Sequence, residues 1–157
     1  MLAGCGQASV TPRRRVFLYI TRPGRLLVLR HVDFPELLPE VPGGTVERGE
    51  LPAIAASREA YEETGLSNLE VPCLLGSQLI CTPHASRPRP LDAWFYQIRA
   101  AEEVPERWQH VERFPHGGTR EIRFDLSWLA LADAPKMLSE DDLLAFDKIV
   151  DTGNESN

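Results

Sequence analysis

The chain has 157 residues, of which 43% are hydrophobic and 25% charged, and its formal net charge is −6. That length suits one domain, residues 1–157, with a core of its own. The negative balance argues against nucleic-acid polymers and anionic membranes as partners, and no apolar run approaches the length of a membrane-spanning helix. Cys5, Cys73 and Cys81 are an odd number without metal-ligand spacing, which reads as reduced thiols in a cytoplasmic protein.

Residues 1–12 read as a loose lead-in. Arg13, Arg14 and Arg15 precede Val16–Ile20, a short apolar run expected to be a strand. A Pro-Gly turn at Pro23 and Gly24 then predicts a hairpin, with Leu26–Leu29 as the return strand. Residues 32–41 form a Pro- and Glu-rich loop, and Glu40 at its end is a candidate pocket residue.

The stretch Gly44–Leu66 carries the strongest signal. Pro52 suits a first helical position, residues 53–64 are rich in Ala, Glu and Arg, and Gly65 suits the left-handed residue past a helix end. Ala53, Ala56 and Ala60 recur at helical spacing, as do Ile54 and Tyr61, predicting a small-residue face close against a sheet. The other face is expected to carry Arg58, Glu59, Glu62 and Glu63. Two carboxylates about 5 Å apart repel by roughly 3 kcal/mol at an effective dielectric near 20. Arg58 alone does not offset three such groups; a divalent cation would. The turn at Pro42, Gly43 and Gly44 lets backbone approach such an ion closely.

After the helix, residues 69–80 read as a strand with Gly76 as a bulge. Residues 81–90 hold three prolines and two arginines and form an irregular loop, in which Arg87, Arg89 and His84 are candidates to contact phosphate or sugar. Leu91–Ala100 is an aromatic-rich strand; Trp94 could stack on a base, although core packing is the commoner use of such a ring. Residues 121–131 alternate Ile122, Phe124, Leu126 and Trp128 with polar residues, a further strand. Ser139 is the expected N-cap of a closing helix striped by Leu143, Leu144, Phe146 and Ile149. Residues 152–157 should fray.

Gly44, Glu50, Arg58, Glu59, Glu62, Glu63 and Gly65, with apolar Ala60 and Leu66, sit at fixed offsets. This pattern resembles the Nudix box of MutT-like hydrolases, with every position filled; a chance match has odds on the order of one in a million. The resemblance implies an α/β fold, an α/β/α sandwich around a central mixed sheet. It implies hydrolysis of a pyrophosphate bond in a nucleoside diphosphate linked to another moiety: an ADP-ribose-like compound, a nucleotide sugar or a nucleoside triphosphate. It further implies Mg²⁺, with Mn²⁺ as a substitute, held by Glu59, Glu62, Glu63 and the Gly43 carbonyl, with Arg58 orienting the glutamates and Glu50 supporting the loop–helix junction. Arg30 and His31 would emerge near the pocket. Such proteins often add a glutamate ahead of a tryptophan as ligand or general base; Glu121 and Glu112 are the candidates, with Glu121 favoured for bordering the Gly-containing loop. The expected partner is a nucleotide-derived small molecule, and a homodimer is an expectation from relatives. The rival readings are a non-catalytic nucleotide-binding sensor, against which the complete set of box glutamates argues, and an isomerase on the same fold.

Overall fold

The computed structural model describes residues 11–81, 90–101, 103–113 and 118–154. Seven strands make one sheet: β1 (Arg13–Arg22), β2 (Arg25–His31), β3 (Gly43–Thr45), β4 (Cys73–Cys81), β5 (Pro90–Arg99), β6 (Arg107–Glu112) and β7 (Ile122–Ala130). The order is β4-β5-β1-β2-β7-β6, with β3 added to β1. β1 and β5 run parallel while the other pairs are antiparallel, so the sheet is mixed.

One departure from a regular hairpin creates the room for a site. β1 and β2 pair only next to their turn, at Thr21 with Leu26 and Arg22 with Arg25. Beyond that the strands part, and the chain before the helix fills the gap. Leu29 bridges Glu40, Leu18 N–H donates to the Pro42 carbonyl at 2.9 Å, and β3 pairs with Arg15–Phe17. The sheet thus holds the Gly43–Gly44 turn by backbone hydrogen bonds along its length.

Helix α1 (Pro52–Thr64) begins at its proline and ends at Gly65 with φ 74°, as its sequence predicts. Its buried face differs from the expected one. Ala55, Ala56 and Ala60 are buried together with Glu59, Glu63 and Thr64, while Ala53, Ile54 and Tyr61 face water. Residues 56, 59, 60 and 63 form a complete helical stripe, but hydropathy assigns its two glutamates to solvent. The small alanines let α1 lie close over Val16, Leu18, Leu27, Leu29 and Leu126. Trp94 and Tyr96 belong to this side of the sheet, and Phe95 to the other.

The opposite side buries Phe17, Tyr19, Leu26, Val28 and Phe95, with the Phe17 and Phe95 rings stacked at 4.9 Å. Its cover is α2 (Ala134–Met137), followed by turns and a 3₁₀ turn at Phe146–Lys148. The closing helix expected from Ser139 therefore does not form. Tyr19 Oη donates to the Asp142 carbonyl at 2.6 Å and accepts from Ala145 N–H at 3.3 Å, so a buried phenol takes backbone groups a helix would use. The apolar stripe still packs inward, and Ser139 still accepts a capping bond from Asp142 N–H at 3.3 Å.

The bulge in β4 lies between Leu74 and Gly76, where the register with β5 shifts. Cys73 is a free, exposed thiol. Cys81 is disulfide-bonded, which corrects the expectation of three reduced cysteines, because pairing follows proximity in space and not spacing in sequence. Among the described residues no helix is long and apolar enough to cross a membrane.

Candidate active site

The site is assembled from α1, the Gly43–Gly44 turn and the end of edge strand β6. Strand β6 is clamped to the helix terminus: Trp108 Nε1–H donates to the Thr64 carbonyl at 2.8 Å, and His110 Nε2 lies 2.9 Å from the Glu62 carbonyl oxygen. The His110 ring also packs against Gly65, where a Cβ would meet it at 2.8 Å. These contacts bring Glu112, two residues on, to the carboxylates of α1. Glu59, Glu62 and Glu112 each offer an oxygen, and these oxygens lie within 4.8 Å of one another.

Arg58 organises the helix side of the cluster. Its Nε and Nη2 donate to the two oxygens of Glu50 at 2.8 and 2.9 Å, a forked pair. Nη2 also donates to the Thr45 carbonyl at 2.9 Å, and Nη1 donates to Glu59 at 2.9 Å and Glu62 at 3.0 Å. Glu50 in turn accepts from Glu47 N–H at 3.0 Å, fixing the loop before the helix. One guanidinium thus locks loop and helix together and holds two of the three clustered acids in place. Among the described residues no hydrogen bond engages Glu112, so that carboxylate faces the cluster without a donor of its own.

Gly44 is what lets Glu59 occupy its place. A Cβ there would lie 2.1–2.3 Å from the Glu59 carboxyl atoms, a space no side chain can share with them. Glu63 points the same way: Gly43 N–H donates to its Oε2 at 3.3 Å, which sets Glu63 beside the turn.

These acids are largely withdrawn from water, Glu59 being 4% and Glu63 9% exposed. Burial pushes Glu59 up to about 7; the Arg58 guanidinium opposes the shift, and repulsion from Glu62 and Glu112 adds to it. Burial, and then Glu112, raise Glu63 well above the usual carboxylate range. Burial and Glu62 raise Glu112. Desolvation thus contributes more than like-charge crowding, the cause expected from the sequence. Arg58 is raised in turn, chiefly by its bond to Glu50.

The remaining candidates lie apart. Glu121 falls just outside β7, half exposed, with Arg113 as its nearest cation at 3.9 Å. Of the two candidates for an added glutamate, Glu112, the less favoured, is the one that lies with Glu59 and Glu62. The reason is that the β6–β7 register sets Glu112 opposite Ile122 on the helix side of the sheet. Glu40 holds His31 at 2.7 Å. Arg30 is exposed and pairs in register with Asp125. Trp94 packs against the α1-side core, and its buried Nε1 finds no partner among the described residues. Arg87, Arg89 and His84 lie outside the described residues.

The NUDIX domain model matches residues 11–148. The chain belongs to the Nudix family. Several solved Nudix structures share its fold. A MutT Nudix hydrolase from Burkholderia pseudomallei is 27% identical, with 90% of this chain and 100% of that chain covered and a TM-score of 0.65. A MutT protein from Methanosarcina mazei Go1 is 20% identical over 90% of this chain and 97% of its own, with a TM-score of 0.61. A structure described as a UDP-X diphosphatase is 19% identical over 90% of this chain and 64% of its own, with a TM-score of 0.59. No curated protein matches the chain significantly. As a Nudix pyrophosphohydrolase, the chain belongs to a class that cuts pyrophosphate bonds in nucleoside diphosphate derivatives, and its acid cluster is of a kind that could hold a metal ion.

Proposed function

We propose that the chain hydrolyses a nucleoside diphosphate linked to a second moiety, with a divalent cation held by Glu59, Glu62 and Glu112. The observation that carries this reading is the convergence of those three carboxylates against a turn whose Gly44 leaves space only for Glu59. Hard oxygen donors with room for water suit Mg²⁺, with Mn²⁺ as a substitute. When bound, such an ion supplies charge neutralisation for the pyrophosphate oxygens and acidity for an attacking water.

The chain's own residues do the rest. Arg58 keeps Glu59 and Glu62 in place, so their arrangement is set before substrate arrives. Glu50 and the Thr45 carbonyl keep Arg58 in place. Glu63, which accepts from Gly43 N–H, and the Gly43 carbonyl would be the further ligands of such an ion. Glu112 contributes one oxygen to the cluster, and its other oxygen, which no hydrogen bond engages among the described residues, is placed to accept the proton from water.

The test is a panel assay with Mg²⁺ over nucleoside triphosphates, dinucleoside polyphosphates, ADP-ribose, NADH and nucleotide sugars, following nucleoside monophosphate release. Glu62→Gln should abolish turnover, and Glu112→Gln should lower kcat by roughly 10²–10⁴-fold. Full activity in both variants would overturn the assignment. Tight nucleotide binding by the wild type with no product from any substrate would favour the sensor reading.

A further inference from the structure

We infer that Arg15, on strand β1, grips the phosphate oxygens that the cation leaves free and so sets how the substrate lies across the acid cluster. This rests on the hydrolase reading above, while the position of the guanidinium stands on its own geometry. Arg13, Arg14 and Arg15 enter β1 together, and the fold treats them differently. Arg13 Nε donates to Thr45 Oγ1 at 3.1 Å, and Arg14 Nη2 donates to the Glu47 carbonyl at 3.1 Å. Those two brace β3 and the loop after it. Arg15 has no such partner: among the described residues neither a hydrogen bond nor an ion pair engages it.

The free guanidinium is nevertheless held. It lies over the Phe17 ring, 5.4 Å from the centroid, within reach of a cation–π contact. Phe17 is buried and stacked on Phe95, so the ring beneath is itself fixed. Ala93, beside Arg15 in the parallel pair with β5, is too small to cover it. Register also sets where Arg15 stands. It pairs with Thr45, and Phe17 pairs with Gly43, the residue whose N–H donates to Glu63. The guanidinium thus lies beside the strand that carries the Gly43–Gly44 turn. Its charge opposes the rise of Glu63 and Glu112 from one side of the sheet and of Asp142 from the other, as a cation standing between them does.

Charge gives that position a use. With an ion bound and its ligands ionised, the acids gathered around Arg58 and the turn outweigh one guanidinium and one divalent cation. An incoming pyrophosphate is then repelled unless a further cation meets it. Arg58 is not available, because Glu50, Glu59, Glu62 and the Thr45 carbonyl engage its donors. Arg15 is available. A guanidinium presents parallel N–H donors that match two oxygens of one phosphate, which the point charge of a lysine does not. Held in advance on Phe17, it loses little freedom when the phosphate arrives.

The test takes Mg²⁺ to saturation, so that occupancy by the ion does not vary. Imidodiphosphate, a pyrophosphate analogue bridged by nitrogen, is titrated by calorimetry into wild type, Arg15→Gln and Arg15→Lys. Arg15→Gln should weaken its binding roughly 10–100-fold, the range for losing hydrogen bonds to a charged group. Arg15→Lys, which keeps the charge and loses the fork, should recover only part of that loss, and it carries the test if Arg15→Gln does not fold. In turnover, Arg15→Gln should raise KM by a similar factor, with kcat changing far less. Were Arg15 only a counter-charge for Glu63 and Glu112, its removal would tighten Mg²⁺ and leave imidodiphosphate unchanged. That result, or no binding of imidodiphosphate by the wild type, would overturn the proposal. If nucleotides are cut and KM is unmoved in Arg15→Gln, the role of Arg15 alone fails. If imidodiphosphate loses affinity in the variants but the wild type cuts no substrate, the hydrolase reading fails and the phosphate grip stands.

Discussion

Each side of the sheet buries a carboxylate that desolvation pushes up to about 7: Glu59 under α1, and Asp142 beneath the C-terminal turns. Their surroundings differ. Asp142, 7% exposed, accepts from Val41 N–H at 3.3 Å, and its own peptide carbonyl is taken by Tyr19. It is tied into backbone. Glu59 meets Glu62 and Glu112 instead, and one guanidinium shared with Glu50. Similar burial therefore does not mark a site. Convergence of several acids without enough cations does, because that arrangement gains most from an added ion.

The largest expected effect concerns the space beside Glu59. Gly44→Ala should leave the fold intact, since the atoms in the way are the far end of a side chain. Glu59 would have to leave the cluster, and turnover should fall about a hundredfold. A folded Gly44→Ala protein with wild-type turnover would show that Glu59 need not sit where it does.

Next comes the response to cation. Saturating Mg²⁺ at about a hundred times its Kd adds about 2.7 kcal/mol of stability, or roughly 5–10 °C in Tm for a chain of this size. Differential scanning calorimetry should show that shift in the wild type and lose it in Glu59→Gln, while Asp142→Asn keeps it. A shift retained by Glu59→Gln would place the ion elsewhere.

The smallest effect belongs to Asp142. Its folded-state pKa of about 7 exceeds the ordinary 3.8, so between about pH 4 and about pH 7 the folded protein holds a proton the unfolded chain has released. Its contribution to stability therefore falls as pH rises through that window, with a slope of at most about 1.4 kcal/mol per pH unit, and is level above it. Asp142→Asn should remove this contribution in denaturant titrations across the window. An unchanged slope would place the titration on another group.

The contrast between the two sides also separates what was legible in the residues from what was not. Pro52, the alanine-rich run and Gly65 marked α1 and its ends, because those are local preferences of the backbone. The strands around Val16, Leu27, Phe95 and Leu126 followed from apolar runs and alternation. The spacing of Arg58, Glu59 and Glu62 put them within mutual reach because they lie one to four positions apart on one helix. Local pattern misled at the end of the chain, where the stripe from Ser139 suggested a helix. Tyr19, more than a hundred residues earlier, takes the backbone groups that helix needed.

The sequence alone thus determined the family, the helix and the helical share of the acid cluster, since each depends on neighbours a few residues apart. Tertiary structure decided that Glu112 joins the cluster and Glu121 does not, and that Glu59 and Glu63 lie inside. Those outcomes depend on strand register and on which groups lose water, which are set by contacts between residues far apart in the chain.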